Sequence, residues 1–215
     1  MHNSIKQNGW WLSKLEGEDL NGLLDIAKEL GVPVGGRKKG QLIEILKPQD
    51  SESANKKSLS KRFGFSAFPY HCDTAHWATP IRYIVLGCIN PGSCGRKTFL
   101  IDWQKIEFEL REINLLRNAV FLIKNGRNSF YSTILDQNEK FFRFDPGCMS
   151  PVDNEASNTL NLIEDKISEV EPIEISWKKG SVLVIDNWRM LHGRGCVSVM
   201  SENLITRELH RVLVA

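Results

Sequence analysis

Between residues 81 and 214 the chain breaks into short apolar runs separated by turn signals, and that punctuation limits what it can fold into. The run 81–89 is almost continuously apolar, which predicts a strand buried on both faces. Asn90-Pro91-Gly92 turns the chain, and 97–102 is a second strand candidate. Asn125-Gly126 lies between apolar runs at 119–123 and 128–135, a strong hairpin signal. Further strand candidates are 140–145, 174–177, 180–185 and 204–214. Helical spacing of apolar residues covers 14–30, 103–118 and 156–171. Some eight to ten short strands with two or three helices predict a mainly β fold, a barrel or sandwich with helical buttressing, rather than a βαβ array. No G-x-G-x-x-G or P-loop pattern appears.

The N-terminal part is less decisive. Gly31-Val32-Pro33 ends the helix at 14–30, and the apolar run 42–46 fits a short helix or a strand. Helix, basic turn Arg37-Lys38-Lys39 and leucine pair resemble a SAP-type nucleic-acid module. The simpler reading is a helix packed on the main domain with a solvated basic loop, because a three-residue charge run is usually surface. Residues 49–62 are polar, aperiodic and rich in Ser and Lys, and so form a candidate lid.

Composition excludes several classes of function. A net charge of +2 gives no general case for nucleic acid or an anionic membrane, and no apolar run approaches the ~20 residues that span a bilayer. Met1 to Gln7 are polar with no apolar signal core, so a cytoplasmic protein is expected. The five cysteines form no C-x-x-C pair and read as reduced thiols.

The candidate chemistry starts at His71-Cys72-Asp73. In an extended segment residues i and i+2 share a face, so His71 and Asp73 can converge while Cys72 turns away. An imidazole and a carboxylate make two-thirds of a facial triad with open coordination positions. Of the remaining histidines, His192 follows a buried strand and the polar turn Asp186-Asn187-Trp188-Arg189, where Asn187 can orient a ligand. Fifteen residues later come Arg207 and Arg211, four apart on one strand and so on one face. Inward guanidinium groups are costly without an anion, and either a dicarboxylate co-substrate or a structural Asp or Glu can supply the carboxylate that pairs with them bidentately.

Taken together, His71-Cys72-Asp73, Thr98 27 residues further on, Asp186-Asn187-Trp188-Arg189-Met190-Leu191-His192 and Arg207-Glu208-Leu209-His210-Arg211 resemble the taurine dioxygenase and clavaminate synthase branch of the Fe(II)/2-oxoglutarate oxygenases. The resemblance spans residues 58–214 and implies a double-stranded β-helix, or jelly roll. The whole chain, 1–215, would be one oxygenase domain, with 1–48 a helical segment packed on the core. It further implies Fe(II) held by His71, Asp73 and His192, with 2-oxoglutarate as co-substrate beside it. Thr98 and Arg207 would hold the distal carboxylate, and Arg211 the C1 carboxylate or an anionic group of the substrate. O2 would be consumed and succinate and CO2 released as a small polar metabolite, amino acid or peptide is hydroxylated. His76, Trp77, Arg143 and Asn187 are candidate substrate contacts, with an Arg143–Asp145 structural pair as the alternative for Arg143. Two other readings stay open: a nucleic-acid binder using the N-terminal segment, and a metal-binding barrel without turnover. The sequence leaves a homo-oligomer open and identifies no substrate.

Overall fold

A computed structural model of the 215-residue chain describes all of it except residues 16–20, 37–39, 55–58, 127 and 197–205. The N-terminal part contributes α1 (His2–Asn8), β1 (Trp10–Lys14), α2 (Asn21–Leu30), β2 (Pro33–Val34) and β3 (Ile43–Leu46). Then come α3 (Leu59–Phe63), β4 (Phe68–His71), β5 (Tyr83–Asn90), β6 (Thr98–Asp102), a short 3-10 turn (Trp103–Lys105) and α4 (Leu110–Asn118). The hairpin β7 (Phe121–Asn125) and β8 (Asn128–Ser132), β9 (Met149–Pro151) and α5 (Asn154–Ser168) follow. The chain closes with β10 (Ile173–Ile175), β11 (Ser181–Asp186), β12 (Met190–Arg194) and β13 (Glu208–Val214).

The larger sheet runs β1-β11-β5-β13-β2 with β3 also paired to β13, and the smaller one runs β10-β6-β12-β4. Every pairing is antiparallel. Apolar side chains of both sheets meet in one cluster: Ile84, Leu86 and Leu183 from the larger, Leu100, Ile175 and Met190 from the smaller. The alternate residues of the larger sheet, Val85, Val182, Val184 and Val212, point the other way onto Leu23 and Ala27 of α2. The central strands are therefore covered on both sides, which is why residues 81–89 read as continuously apolar. A third core lies outside the smaller sheet. There Ile101 and Leu191 pack with the β8-β7-β9 sheet, Leu116 of α4 and Ile163 of α5.

Several expectations change. Residues 42–46 supply a strand, and β1, β2 and β3 all join the larger sheet, so the N-terminal segment is built into the fold and not simply laid upon it. The basic cluster 37–39 lies outside the described residues. Residues 140–145 make a single bridge, Leu135 to Phe142, instead of a strand. The helix expected over 103–118 is divided into the 3-10 turn and α4. Among the described residues no helix is long and apolar enough to cross a membrane.

One contact shows how closely α2 sits on the sheet. A Cβ at Gly87 would lie 2.6 Å from Leu23 Cδ1, and Leu23 is fully buried. Gly87→Ala is expected to cost about 1–3 kcal/mol by overpacking. Urea unfolding would register a lower midpoint at constant slope, and an unshifted midpoint would mean α2 yields freely.

Candidate metal centre and anion pocket

Strand β12 sits between β6 and β4, and its register brings the first pair of residues together. His192 lies opposite His71 on β4 and Leu100 on β6, and the two imidazole centroids are 4.4 Å apart. Asp73 arrives differently from the expectation. β4 ends at His71, and Asp73 falls in the turn that follows, beside Thr74 at φ 57°. Strand alternation alone therefore does not aim its carboxylate. Asn187 does much of that work: its Oδ1 accepts from Asp73 N at 2.7 Å, and its Nδ2 donates to the carbonyls of Asp73 (3.0 Å) and Ile81 (2.9 Å).

The outcome is a three-donor cluster. Asp73 Oδ1 is 3.9 Å from both His71 Nε2 and His192 Nε2, and the three ligand atoms lie within 4.8 Å of one another. His71 Nδ1 is 2.9 Å from the Pro69 carbonyl, which fixes the proton there and turns the Nε2 lone pair inward. Arg211 Nη1 donates to Asp73 Oδ2 at 2.6 Å, leaving Oδ1 as the free donor. Two imidazoles and one carboxylate on one side of an ion fit the donor set of a facial site for Fe(II).

Electrostatics favour the ligand forms of these groups. Burial, reinforced by His71 and Arg211 and opposed by Asp73, pushes His192 down to about 3, so it is a neutral imidazole at neutral pH. Burial would raise the Asp73 carboxyl, but the Arg211 guanidinium, through its charge and its hydrogen bond, outweighs burial and holds the group well below the usual carboxylate range. Burial pushes the Cys72 thiol up to about 12, so it stays protonated, and its side chain sits in the core away from the cluster.

The triad lines a cavity of about 520 Å³. The same cavity is lined by Thr98, Arg194, Arg207 and Arg211. Arg207 Nη1 donates to the Arg96 carbonyl at 3.0 Å and lies 3.4 Å from Thr98 Oγ1, which also accepts from Trp177 Nε1 at 3.0 Å. Arg211 is already engaged: besides Asp73 it binds Glu44 of β3 through Nε (3.1 Å) and Nη2. Gln49 and Ser60, from the polar stretch read as a lid, also face the cavity, and 55–58 of that stretch lie outside the described residues.

Other candidates sit elsewhere. Arg143 is fully buried and donates to the carbonyls of Ala75, Trp77 and Ala78 (the last at 2.8 Å), so it braces the turn after Asp73 instead of reaching the cavity. Asn187 is fully buried and consumed by Asp73 and Ile81, which makes it a positioning residue and not a substrate contact. His76 and Trp77 are outside the described lining of the cavity. Sequence reasoning missed Glu44, Arg96 and Arg194. Only Arg194 carried a signal, two residues beyond His192 and thus on the same strand face.

Comparison with solved structures places the fold. An asparagine oxygenase in complex with Fe(II), a 3-hydroxyasparagine and succinate superposes with a TM-score of 0.77 at 15% identity, covering 99% of this chain and 77% of that one. The non-heme iron oxygenase OrfP, in complex with Fe and alpha-ketoglutaric acid, gives 0.76 at 17%, covering 100% and 77%. PvcB from Pseudomonas aeruginosa gives 0.70 at 17%, covering 99% and 78%. This chain has the fold of these proteins. No family model matches it, and no curated protein matches it in sequence.

Two outcomes follow from this geometry. Asn187→Ala frees the turn that carries Asp73 and is expected to weaken cobalt(II) or iron(II) affinity by about 10–100-fold, the usual scale for losing a group that orients a metal ligand, read by metal titration. In the metal-free protein, His192 titrates in the unfolded chain near 6.5 but in the fold only near about 3, so the unfolded state binds the extra proton between them. Stability then rises with pH across that window and falls as pH drops through it, and the depressed Asp73 acts in the same direction at its lower end. Denaturant midpoints measured from pH 7 to pH 4 should fall in the wild type and fall less in His192→Gln.

Proposed function

We propose that this protein is an Fe(II)- and 2-oxoglutarate-dependent dioxygenase of the taurine dioxygenase and clavaminate synthase type. Its substrate would be an unactivated C–H of a free amino acid or similarly small polar metabolite. The single observation that carries the reading is the convergence of His71 Nε2, Asp73 Oδ1 and His192 Nε2 within 4.8 Å on the wall of a cavity that also presents Thr98 and Arg207. The face-to-face sheets are read as a double-stranded β-helix, and residues 1–215 as one oxygenase domain whose larger sheet is completed by the N-terminal strands. The asparagine oxygenase and OrfP support the choice of substrate class, since each was solved with succinate and a hydroxylated amino acid.

His71, Asp73 and His192 would hold the iron, which when bound supplies the O2 chemistry that couples 2-oxoglutarate decarboxylation to hydroxylation. The residues of the chain do the rest. The Pro69 carbonyl keeps the His71 proton on Nδ1, and Arg211 occupies Asp73 Oδ2, so that Oδ1 is the atom that would hold the metal. Arg207 and Thr98 receive the distal carboxylate of 2-oxoglutarate, in a cavity whose wall also carries the apolar side chains of Leu86 and Leu209. A volume of about 520 Å³ suits a five-carbon keto acid beside one amino acid, and is small for a folded protein or a duplex.

Under anaerobic conditions, Fe(II) and 2-oxoglutarate are expected to give a visible charge-transfer band that His192→Ala lacks. In air, succinate release should rise with one or more members of an amino-acid panel. A wild-type protein that binds iron yet gives neither band nor succinate would end this reading.

A further inference from the structure

The N-terminal segment and the cavity wall meet at Arg211. Across the ladder its neighbour on β5 is the apolar Leu86, and its neighbour on β3 is Glu44. Glu44 Oε2 accepts from both Nε (3.1 Å) and Nη2 of the guanidinium, while Nη1 donates to Asp73 Oδ2 at 2.6 Å. The side chains of Glu44, Arg211 and Asp73 are only 11–13% exposed. A residue without a side chain keeps open the space that the Glu44 carboxylate fills. A Cβ at Gly36 would lie 2.6 Å from Glu44 Oε1 and 2.9 Å from its Cδ.

A guanidinium is planar, so an acceptor shared by Nε and Nη2 fixes both its plane and its direction. With those two donors held by Glu44, Nη1 is left aimed at Asp73 Oδ2. Without Glu44 the group is free to rotate about its last side-chain bonds and to leave Asp73. Holding β3 on the sheet does not require this pair. The backbone register of Ile43 to Leu46 against Val212 to Leu209 already joins the strands. The neighbouring ion pair of the same strands, Lys47 with Glu208, is placed towards solvent, with the lysine side chain 52% exposed. A buried pair carries a desolvation cost that such an exposed pair avoids.

We infer that Glu44 is a positioning residue of the metal centre: it holds Arg211 on Asp73 Oδ2, so that Asp73 keeps Oδ1 for a metal, and Gly36 leaves the room that this requires. The inference rests on the reading of His71, Asp73 and His192 as a metal site. Glu44 is outside the described lining of the cavity and acts through Arg211. By way of β3 the N-terminal segment thus helps to set the metal donors without touching the metal.

The test uses the full-length protein, stripped of metal by chelator and titrated with cobalt(II), whose visible d–d absorption reports the atoms around the ion. Glu44→Ala is expected to weaken cobalt affinity about 10–100-fold, the usual scale for losing a group that orients a metal ligand, and to alter the absorption. Glu44→Gln keeps an acceptor oxygen for Nε and Nη2, so its affinity should lie between those of wild type and Glu44→Ala, with the wild-type absorption. Should Glu44→Ala not fold by circular dichroism, Gly36→Ala pushes the carboxylate off Arg211 at constant charge, and is expected to weaken affinity and alter the absorption in the same way. Cobalt affinity and absorption that match the wild type in Glu44→Ala, or in Gly36→Ala where that variant replaces it, overturn the role and leave the metal site standing. Glu44→Gln as impaired as Glu44→Ala would make Glu44 a distant charge and also overturn it. A wild type that takes up no cobalt removes the metal site and this role with it. A Glu44-dependent cobalt site in a protein that never makes succinate would uphold the role and remove the oxygenase reading.

Discussion

One guanidinium joins the two sheets where the donors converge. Arg211 belongs to β13 in the larger sheet, and it reaches across to Asp73 at the end of β4 in the smaller one. Its other face binds Glu44 on β3, its neighbour across the ladder. Two carboxylates share a single buried cation, and that arrangement leaves one net negative charge next to the two imidazoles. A divalent cation would more than offset that charge and leave the site ready for an anionic ligand. Deleting either partner of such a buried pair strands the other, so the contact governs both the geometry of Asp73 and the packing of β3 on β13.

The cavity is electrically divided. In its wall Asp73 is paired with Arg211, which Glu44 outside the lining also binds, while Arg194 and Arg207 line it close to Arg96, which does not. A dicarboxylate carrying a keto group matches this division: one end can join a metal, and the other can meet the guanidinium groups. The polarity of the cavity thus points to the same class of ligand as its donor set, and the two arguments have only Asp73 in common.

Much of the site could be read in one dimension because its donors sit at fixed, short spacings on strands. His71 and Asp73 are two apart, His192 ends a buried strand and its turn, and Arg207 and Arg211 share a face. The apolar runs of β5 and β11 likewise announced strands covered on both sides. Arg143 was open between a substrate contact and a structural pair with Asp145, and Asn187 between a substrate contact and a residue that orients a ligand imidazole. In the fold both are spent on backbone: Arg143 on the carbonyls of 75, 77 and 78, and Asn187 on Asp73 and Ile81. The strands β1 and β2 were missed, and β3 stayed open between helix and strand, because these segments are two to five residues long and half-exposed. Such segments carry little periodicity, and their pairing partners lie more than fifty residues away or farther.

Residue identity and spacing by themselves determined a mainly β chain, one candidate set of metal donors and a pair of inward arginines, since side-chain alternation and metal-ligand chemistry are local properties. Which residues would be spent on holding Asp73, and that Arg96 and Arg194 would join Arg207, only the tertiary structure decided. Those contacts join segments that antiparallel pairing brings together from across the chain, and the cost of burying a charge depends on what the rest of the fold sets beside it.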